Sequence, residues 1–166
     1  MGKYDELLIT GFERACEKYA DKTAIIYLGQ KFSYLKIKEL IDRFATALHE
    51  LGVKKDDKVM LYIPNCPQFL IAYLGAQLIG AIPVPVSPIY TPHEMRYLIN
   101  DSEAETVLCL DTNFRYIQEV FPDTCLKRAI VTTYVDLLPL YKRAVGFLFD
   151  KVPDGVIEKG PDIHSF

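Results

Sequence analysis

Between Lys58 and Thr132, four short continuous apolar runs alternate with three helical patterns. The runs are Val59 to Ile63, Ile82 to Val86, Thr106 to Leu110 and Ala129 to Thr132; the helical patterns are Pro67 to Ile79, Pro92 to Asn100 and Asn113 to Phe121. A run without polar alternation suits a strand covered on both faces, and each helix between runs is long enough to cross back over a sheet. Recurrence at roughly 23 residues therefore predicts βαβ units with a parallel sheet. The expected class is α/β, preceded by a helix and a β-hairpin.

The second run is written with prolines, in GAIPVPVSPIYTPHE, Gly80 to Glu94. Proline has no N–H to give to a ladder, but successive residues of a strand direct their N–H groups to opposite sides. Pro83 and Pro85, two apart, remove donors on one side only. The spacing predicts a strand that pairs well with one neighbour and poorly with the other. Beyond it, Thr91-Pro92-His93-Glu94 has the form of a capping box, with Thr91 as N-cap, Pro92 at the first helical position and Glu94 reaching back. Pro88 stiffens the loop between. In open α/β sheets, ligands bind at the carboxyl ends of strands, which is where this loop falls.

Upstream, Ile37, Leu40, Ile41, Phe44, Leu48 and Leu51 follow the spacing of one helix face, with Ser33 as N-cap and Gly52 just past the end. Before it, Thr23 to Leu28 and Lys31 to Ser33 flank Gly29-Gln30, read as a two-residue hairpin turn with glycine first. Asn65, ahead of Pro67, is the expected N-cap of the helix that follows the first parallel strand, and Cys66 a packed thiol.

With 166 residues and 50% hydrophobic content the chain can bury the core of one domain. A net charge of −3, with no Lys/Arg cluster interleaved with aromatics, argues against nucleic acid as a partner. Cys16, Cys66, Cys109 and Cys125 form no Cys-x-x-Cys pair, which suits reduced thiols in a cytoplasmic protein. The start, MGKYDELLITGFERACEKYA, lacks the basic and apolar regions of a signal peptide, and Glu6 stands where a myristoylation site needs Ser or Thr. Phe69 to Val86 is too interrupted by Gly75, Gln77, Gly80, Pro83 and Pro85 for a membrane span.

Catalytic signatures are missing. There is no P-loop, no G-x-G-x-x-G, no G-x-S-x-G and no H-E-x-x-H. His49, His93 and His164 are scattered, and Asp56-Asp57 and Asp101, Glu103, Glu105 fall in turns, where charge keeps a loop hydrated. A nucleophilic Cys66 would profit from a helix N-terminus, yet no base accompanies it. Residues 134–166 are read as an apolar helical segment, Tyr134 to Phe149, interrupted by Pro139 and carrying Lys142-Arg143, then a turn-rich tail. That tail has no closing helix or strand in this reading, so the chain is expected to be cut from a longer one. Packing of Tyr134 to Phe149 on the domain is favoured over a membrane surface.

Residues Phe32 to Asp111 resemble the N-terminal region of the adenylate-forming acyl-CoA synthetases, the AMP-dependent synthetase family. The resemblance is carried, in order, by Ser33-Tyr34 with Glu39-Leu40, Gly52-Val53 with Asp57-Lys58-Val59, and Asn65 with Pro67. Leu78-x-Gly80-Ala81-Ile82-x-x-Pro85, Pro88-x-Tyr90-Thr91 and Asn100-Asp101-Ser102 complete it. The segment Val135 to Lys159, with Leu137-Leu138-Pro139 and Leu148 to Pro153, is similar to a medium- or long-chain fatty-acid member.

The resemblance implies a ligase that converts a fatty acid and ATP to an acyl adenylate and then to a thioester of coenzyme A. It also implies that the phosphate-binding loop, the Mg²⁺ ligand and the lysine of a mobile C-terminal domain lie beyond residue 166. Residues 1–133 would then be an α/β subdomain, catalytically inactive alone, whose partner is the remainder of its own chain. For site residues, the resemblance implies only that Ser87, Pro88 and Ile89 border the coenzyme A channel, with Ser87 where many relatives have Asn. The alternative is a non-catalytic α/β binding or interaction module.

Overall fold

The computed structural model describes residues 8–148, 153, 155–157 and 160–166. The readings placed on Gly2 and Glu6, and on Phe149 to Val152, lie outside the described residues. Helix α1 (Leu8–Tyr19) leads into β1 (Thr23–Tyr27) and β2 (Gln30–Ser33), followed by α2 (Tyr34–Glu50). Then come β3 (Lys58–Tyr62), α3 (Pro67–Leu78), β4 (Ile82–Pro85), α4 (Pro92–Ser102), β5 (Thr106–Leu110), α5 (Asp111–Val120) and β6 (Arg128–Thr132). Helix α6 (Leu140–Leu148) and β7 (Ile163–Ser165) close the order.

Strands β4-β3-β5-β6-β7 form one parallel sheet in that spatial order, and β1-β2 a separate antiparallel hairpin. The period-2 geometry of strands sends alternate side chains to opposite faces. Val59, Leu61, Leu108, Leu110 and Ile130 meet α1, α2, α3 and the hairpin on one face. Met60, Tyr62, Val107, Cys109, Ala129 and Val131 meet α4 and α5 on the other. Both faces are dry, which is why these strands read as unbroken apolar runs. Gly75 brings α2 and α3 close: a Cβ there would lie 3.0 Å from a ring carbon of Phe44.

The α/β prediction holds, and so do the α2 boundaries: the Ser33 hydroxyl accepts from Lys36 N–H at 3.2 Å, and Gly52 takes φ +81° past the helix end. The proline strand also behaves as its spacing requires. β4 is an edge strand, and the N–H groups of Ile82 and Val86 reach the carbonyls of Asp57, just before β3, and of Leu61 on β3. Even-numbered residues therefore donate inward, and Pro83 and Pro85 sit where their missing N–H would face outward.

Four readings are corrected. The hairpin turn is Leu28-Gly29, with φ +46° and +69°, because Tyr27 pairs with Gln30; glycine is second, as a turn with both central residues left-handed favours. The N-cap of α3 is Cys66, not Asn65, and no side chain caps that end; Pro67 at the first position lessens the need. The tail does end in a strand, β7, parallel to β6. Tyr134 to Phe149 divides at Pro139: Val135 and Leu138 are buried in a turn, whereas Leu140 and Tyr141 on α6 are exposed.

Candidate functional site

Sheet order reverses between β3 and β5, since β4 lies to one side of β3 and β5 to the other. The crevice outside the carboxyl ends of those strands is the default binding position in an open α/β sheet. Three local structures surround it.

The first is the loop after β4. Val86 N–H closes the β3 ladder, and Tyr90 N–H donates to the carbonyl of Ser87 at 3.2 Å, making a turn with Pro88 at its second position, where a fixed φ is favoured. The buried Tyr62 hydroxyl donates to the Tyr90 carbonyl at 2.5 Å. Burial pushes that phenol up to about 12, so it stays protonated and remains a donor. Thr91 and Glu94 then complete the capping box, Thr91 N–H donating to the Glu94 carboxylate at 2.8 Å. The Thr91 N–H, and then its hydroxyl, hold that carboxyl below its usual range. Ser87 and Pro88 are thereby half-buried and fixed, and Ile89, 84% exposed, projects from the tip.

The second structure is the β5 exit. Asn113 donates to the carbonyl of Tyr62 at 3.2 Å, and its own Oδ1 is buried with no protein partner. Asp111 accepts from Thr112 N–H at 2.9 Å and from Gly155 N–H at 3.0 Å. A Cβ at residue 155 would collide with the Asp111 carbonyl, so only glycine fits this crossing. The third is the β6 exit, where the Asp136 carboxylate accepts from Thr133 N–H at 2.8 Å and from the Thr132 and Thr133 hydroxyls at 2.9 and 2.6 Å. Fully buried Gln68 donates to the Thr133 carbonyl at 2.8 Å, tying the start of α3 to β6.

The groups around this crevice hold one another in place. Burial raises the Cys66 thiol more than the Phe69 and Gln68 N–H groups lower it, so the thiol is protonated and packed, against the nucleophile reading. Asp111 and Asp136 are engaged by backbone and hydroxyl donors. Among the described residues there is no group of three or more His, Cys, Asp or Glu that could hold a metal ion. A groove of about 350 Å³, lined among others by Leu40, Arg43, Phe44, Leu137, His164 and Phe166, lies between α2 and β6-β7, at the sheet edge opposite Ser87 to Ile89. Sequence reasoning missed it because two of its walls belong to the strand that went unrecognised.

The sequence profile of the family described as "AMP-binding enzyme" matches residues 12–152. The chain belongs to that family. A long-chain-fatty-acid–CoA ligase of Salmonella typhimurium is 34% identical over 162 residues, covering 96% of this chain and 29% of that protein. One from Bacillus subtilis is 31% identical over 150 residues, 90% of this chain and 27% of the relative. The chain thus spans less than a third of these AMP-binding relatives. In fold, it is similar to the solved long-chain-fatty-acid-CoA ligase of Archaeoglobus fulgidus, with TM-score 0.76 and 23% identity over 99% of this chain and 34% of that one. A benzoate CoA ligase from Burkholderia xenovorans gives TM-score 0.72 and 24% identity over 93% of this chain and 31% of that one. The five-stranded parallel sheet flanked by helices is the architecture shared with these family members.

Proposed function

We propose that these residues are the first subdomain of a fatty-acid–CoA ligase that forms an acyl adenylate from a long-chain fatty acid and ATP, releases pyrophosphate, and transfers the acyl group to coenzyme A. The observation that carries this reading is 34% identity, over 96% of the chain, to a protein named for that activity. In this reading the subdomain supplies scaffold. Neutralisation of phosphate charge, with Mg²⁺, belongs to the remainder of the same polypeptide, including the mobile C-terminal domain. The turn at Ser87, Pro88 and Ile89 would line the entry for the pantetheine arm; its rigidity and its place at a strand's carboxyl end support that role. The four free cysteines suit a reducing compartment, the cytoplasm.

ATP–pyrophosphate exchange tests the reading on the complete protein and on the 166-residue chain. Fatty-acid-dependent exchange is expected from the complete protein, and none above a no-protein control from the chain alone. Exchange by the chain would show that it carries chemistry. No exchange by the complete protein with any fatty acid would favour the rival, a non-catalytic α/β binding or interaction module. Ile89→Asp in the complete protein should leave exchange unchanged and lower kcat/KM for coenzyme A roughly tenfold; equal effects on both half-reactions would remove the loop from the channel.

A further inference from the structure

Tyr62 is bonded through two of its polar groups to the two sides of the crevice. Its hydroxyl donates to the Tyr90 carbonyl at 2.5 Å, across 28 residues, at the end of the loop after β4. Its carbonyl, the last of β3, accepts from the Asn113 amide at 3.2 Å, across 51 residues, where β5 gives way to α5. The ring between is fully buried in the core cluster that includes Met95 and Phe114. Phenylalanine would fill that space with no polar atom to satisfy, so the hydroxyl carries a desolvation cost that its bond to Tyr90 offsets. Asn113 behaves alike: its buried Oδ1 has no protein partner, a cost an apolar residue would avoid, and its Nδ2 goes to Tyr62. The loop itself is held at its start by Val86 N–H on the Leu61 carbonyl, whereas the Ser87–Tyr90 turn bond and the Thr91 cap are internal to the loop and α4. The Tyr62 hydroxyl fixes its end over the sheet.

We propose that Tyr62, held in turn by Asn113, is a positioning residue for the coenzyme A half-reaction: it sets where the turn at Ser87, Pro88 and Ile89 stands at the mouth of the channel. This role rests on the reading in which that turn lines the entry for the pantetheine arm. With no exposed surface, Tyr62 does not touch the arm and acts through the loop. A turn free to swing must be ordered each time the arm enters, and that ordering subtracts from binding; a turn already held in place avoids the loss. Adenylate formation draws on groups elsewhere in the polypeptide, so losing the Tyr62 hydroxyl should be felt in the second half-reaction and not in the first. Tyr62 and Asn113 thereby join the β4 side of the crevice to the β5 side, and the loop is fixed relative to both.

The test is steady-state kinetics of the complete protein with a long-chain fatty acid, ATP and coenzyme A, beside fatty-acid-dependent ATP–pyrophosphate exchange. Tyr62→Phe should raise KM for coenzyme A about fivefold, with kcat and exchange unchanged. Asn113→Ala should act in the same direction, by about twofold. Ser33→Ala is the control for a merely structural effect: it removes the N-cap of α2, on the other face of the sheet, and loses a similar amount of stability. Its KM for coenzyme A should stay at the parent value. A rise in Ser33→Ala equal to that in Tyr62→Phe, or equal losses in both half-reactions for Tyr62→Phe, would overturn the proposal. If Ile89→Asp lowers kcat/KM for coenzyme A while Tyr62→Phe leaves it unmoved, the turn lines the entry and Tyr62 does not position it. If neither variant acts, the turn is not at the entry and both readings fall. A complete protein that makes no acyl-CoA would remove the ligase reading and this role with it.

Discussion

The two edges of the parallel sheet are protected by different means. At the β4 edge, Pro83 and Pro85 remove outward donors, and the strand keeps its full register against β3 from Lys58↔Ile82 to Leu61↔Pro85. At the β7 edge nothing in the backbone is blocked; that strand is only three residues long, and its short ladder with β6 is supplemented by a side-chain contact. Phe166 packs on Phe44 of α2 with ring centroids 5.1 Å apart. Phe166 N–H meets the Val131 carbonyl, while Ile163 N–H turns away to Gly160. One edge is written into the chain's covalent chemistry, and the other depends on packing beneath it.

The largest test of this contrast is Phe44→Ala. Phe44 is buried against α3 and is the floor on which Phe166 rests. Its loss should cost about 3 to 5 kcal/mol, read as a lower denaturation midpoint in urea. Phe166→Ala, at a half-buried ring, should cost nearer ~1 to 2 kcal/mol and speed amide exchange at β6-β7 while leaving β3-β4 unchanged. Equal acceleration at both edges would show that β7 has no separate anchor.

The same contrast explains what was legible beforehand. β4 could be read because it is apolar, bounded by Gly80 and the Thr91 cap, and marked by prolines whose absent donors have a computable direction. β7 could not: Ile163-His164-Ser165 contains one apolar residue, follows a turn-rich stretch, and becomes a strand only because β6 offers it a ladder. The loop at Ser87 to Ile89 was legible as rigid from Pro88 and the capping box. The Tyr62 hydroxyl that ties it down, and the Asp111, Gly155 and Gln68 contacts around it, join residues 28 to 65 positions apart, which local patterns do not encode. The misplaced hairpin turn and the Asn65 cap were one-residue errors at element ends, where glycine and asparagine are each acceptable at neighbouring positions.

Alkaline pH probes the β4 side next. The Tyr62 phenol is raised to about 12 by burial, and so is that of Tyr27. An unfolded tyrosine ionises near ~10, so the stabilisation is fully present below that pH and is lost as pH rises through the folded value. Stability should therefore be flat up to about pH 10 and fall between about 10 and 12. Tyr62→Phe should flatten that fall and, by removing the donor to Tyr90, cost roughly 1 kcal/mol at neutral pH. An alkaline transition unaffected by Tyr62→Phe would assign it to other groups.

At the exit of the same loop, Thr91→Ala removes the side-chain acceptor for Glu94 N–H and one arm of the box. The expected cost is about 1 kcal/mol, seen as a small drop in Tm with faster exchange confined to the first turn of α4. A global increase in exchange would mean that α4 is held by its cap and not by Met95 and Ile99 in the core.

The sharpest effect on the edge, with a modest one on stability per residue replaced, should come from changing Pro83 and Pro85 together to alanine. Each new N–H would point away from β3, so no existing ladder bond is touched, and the main change is greater freedom in the unfolded chain. That should cost no more than about 1 kcal/mol per site. Solution behaviour is another matter, because two outward donors two residues apart, beside the carbonyls already there, form a pairing template on an exposed edge. Sedimentation velocity should show concentration-dependent association in the double variant at a thermal stability close to that of the parent. Each single variant should associate less, since one restored donor leaves its neighbour blocked. A double variant that stays monomeric would mean that β4 is shielded by something other than its missing donors, and the two edges would then differ in length alone.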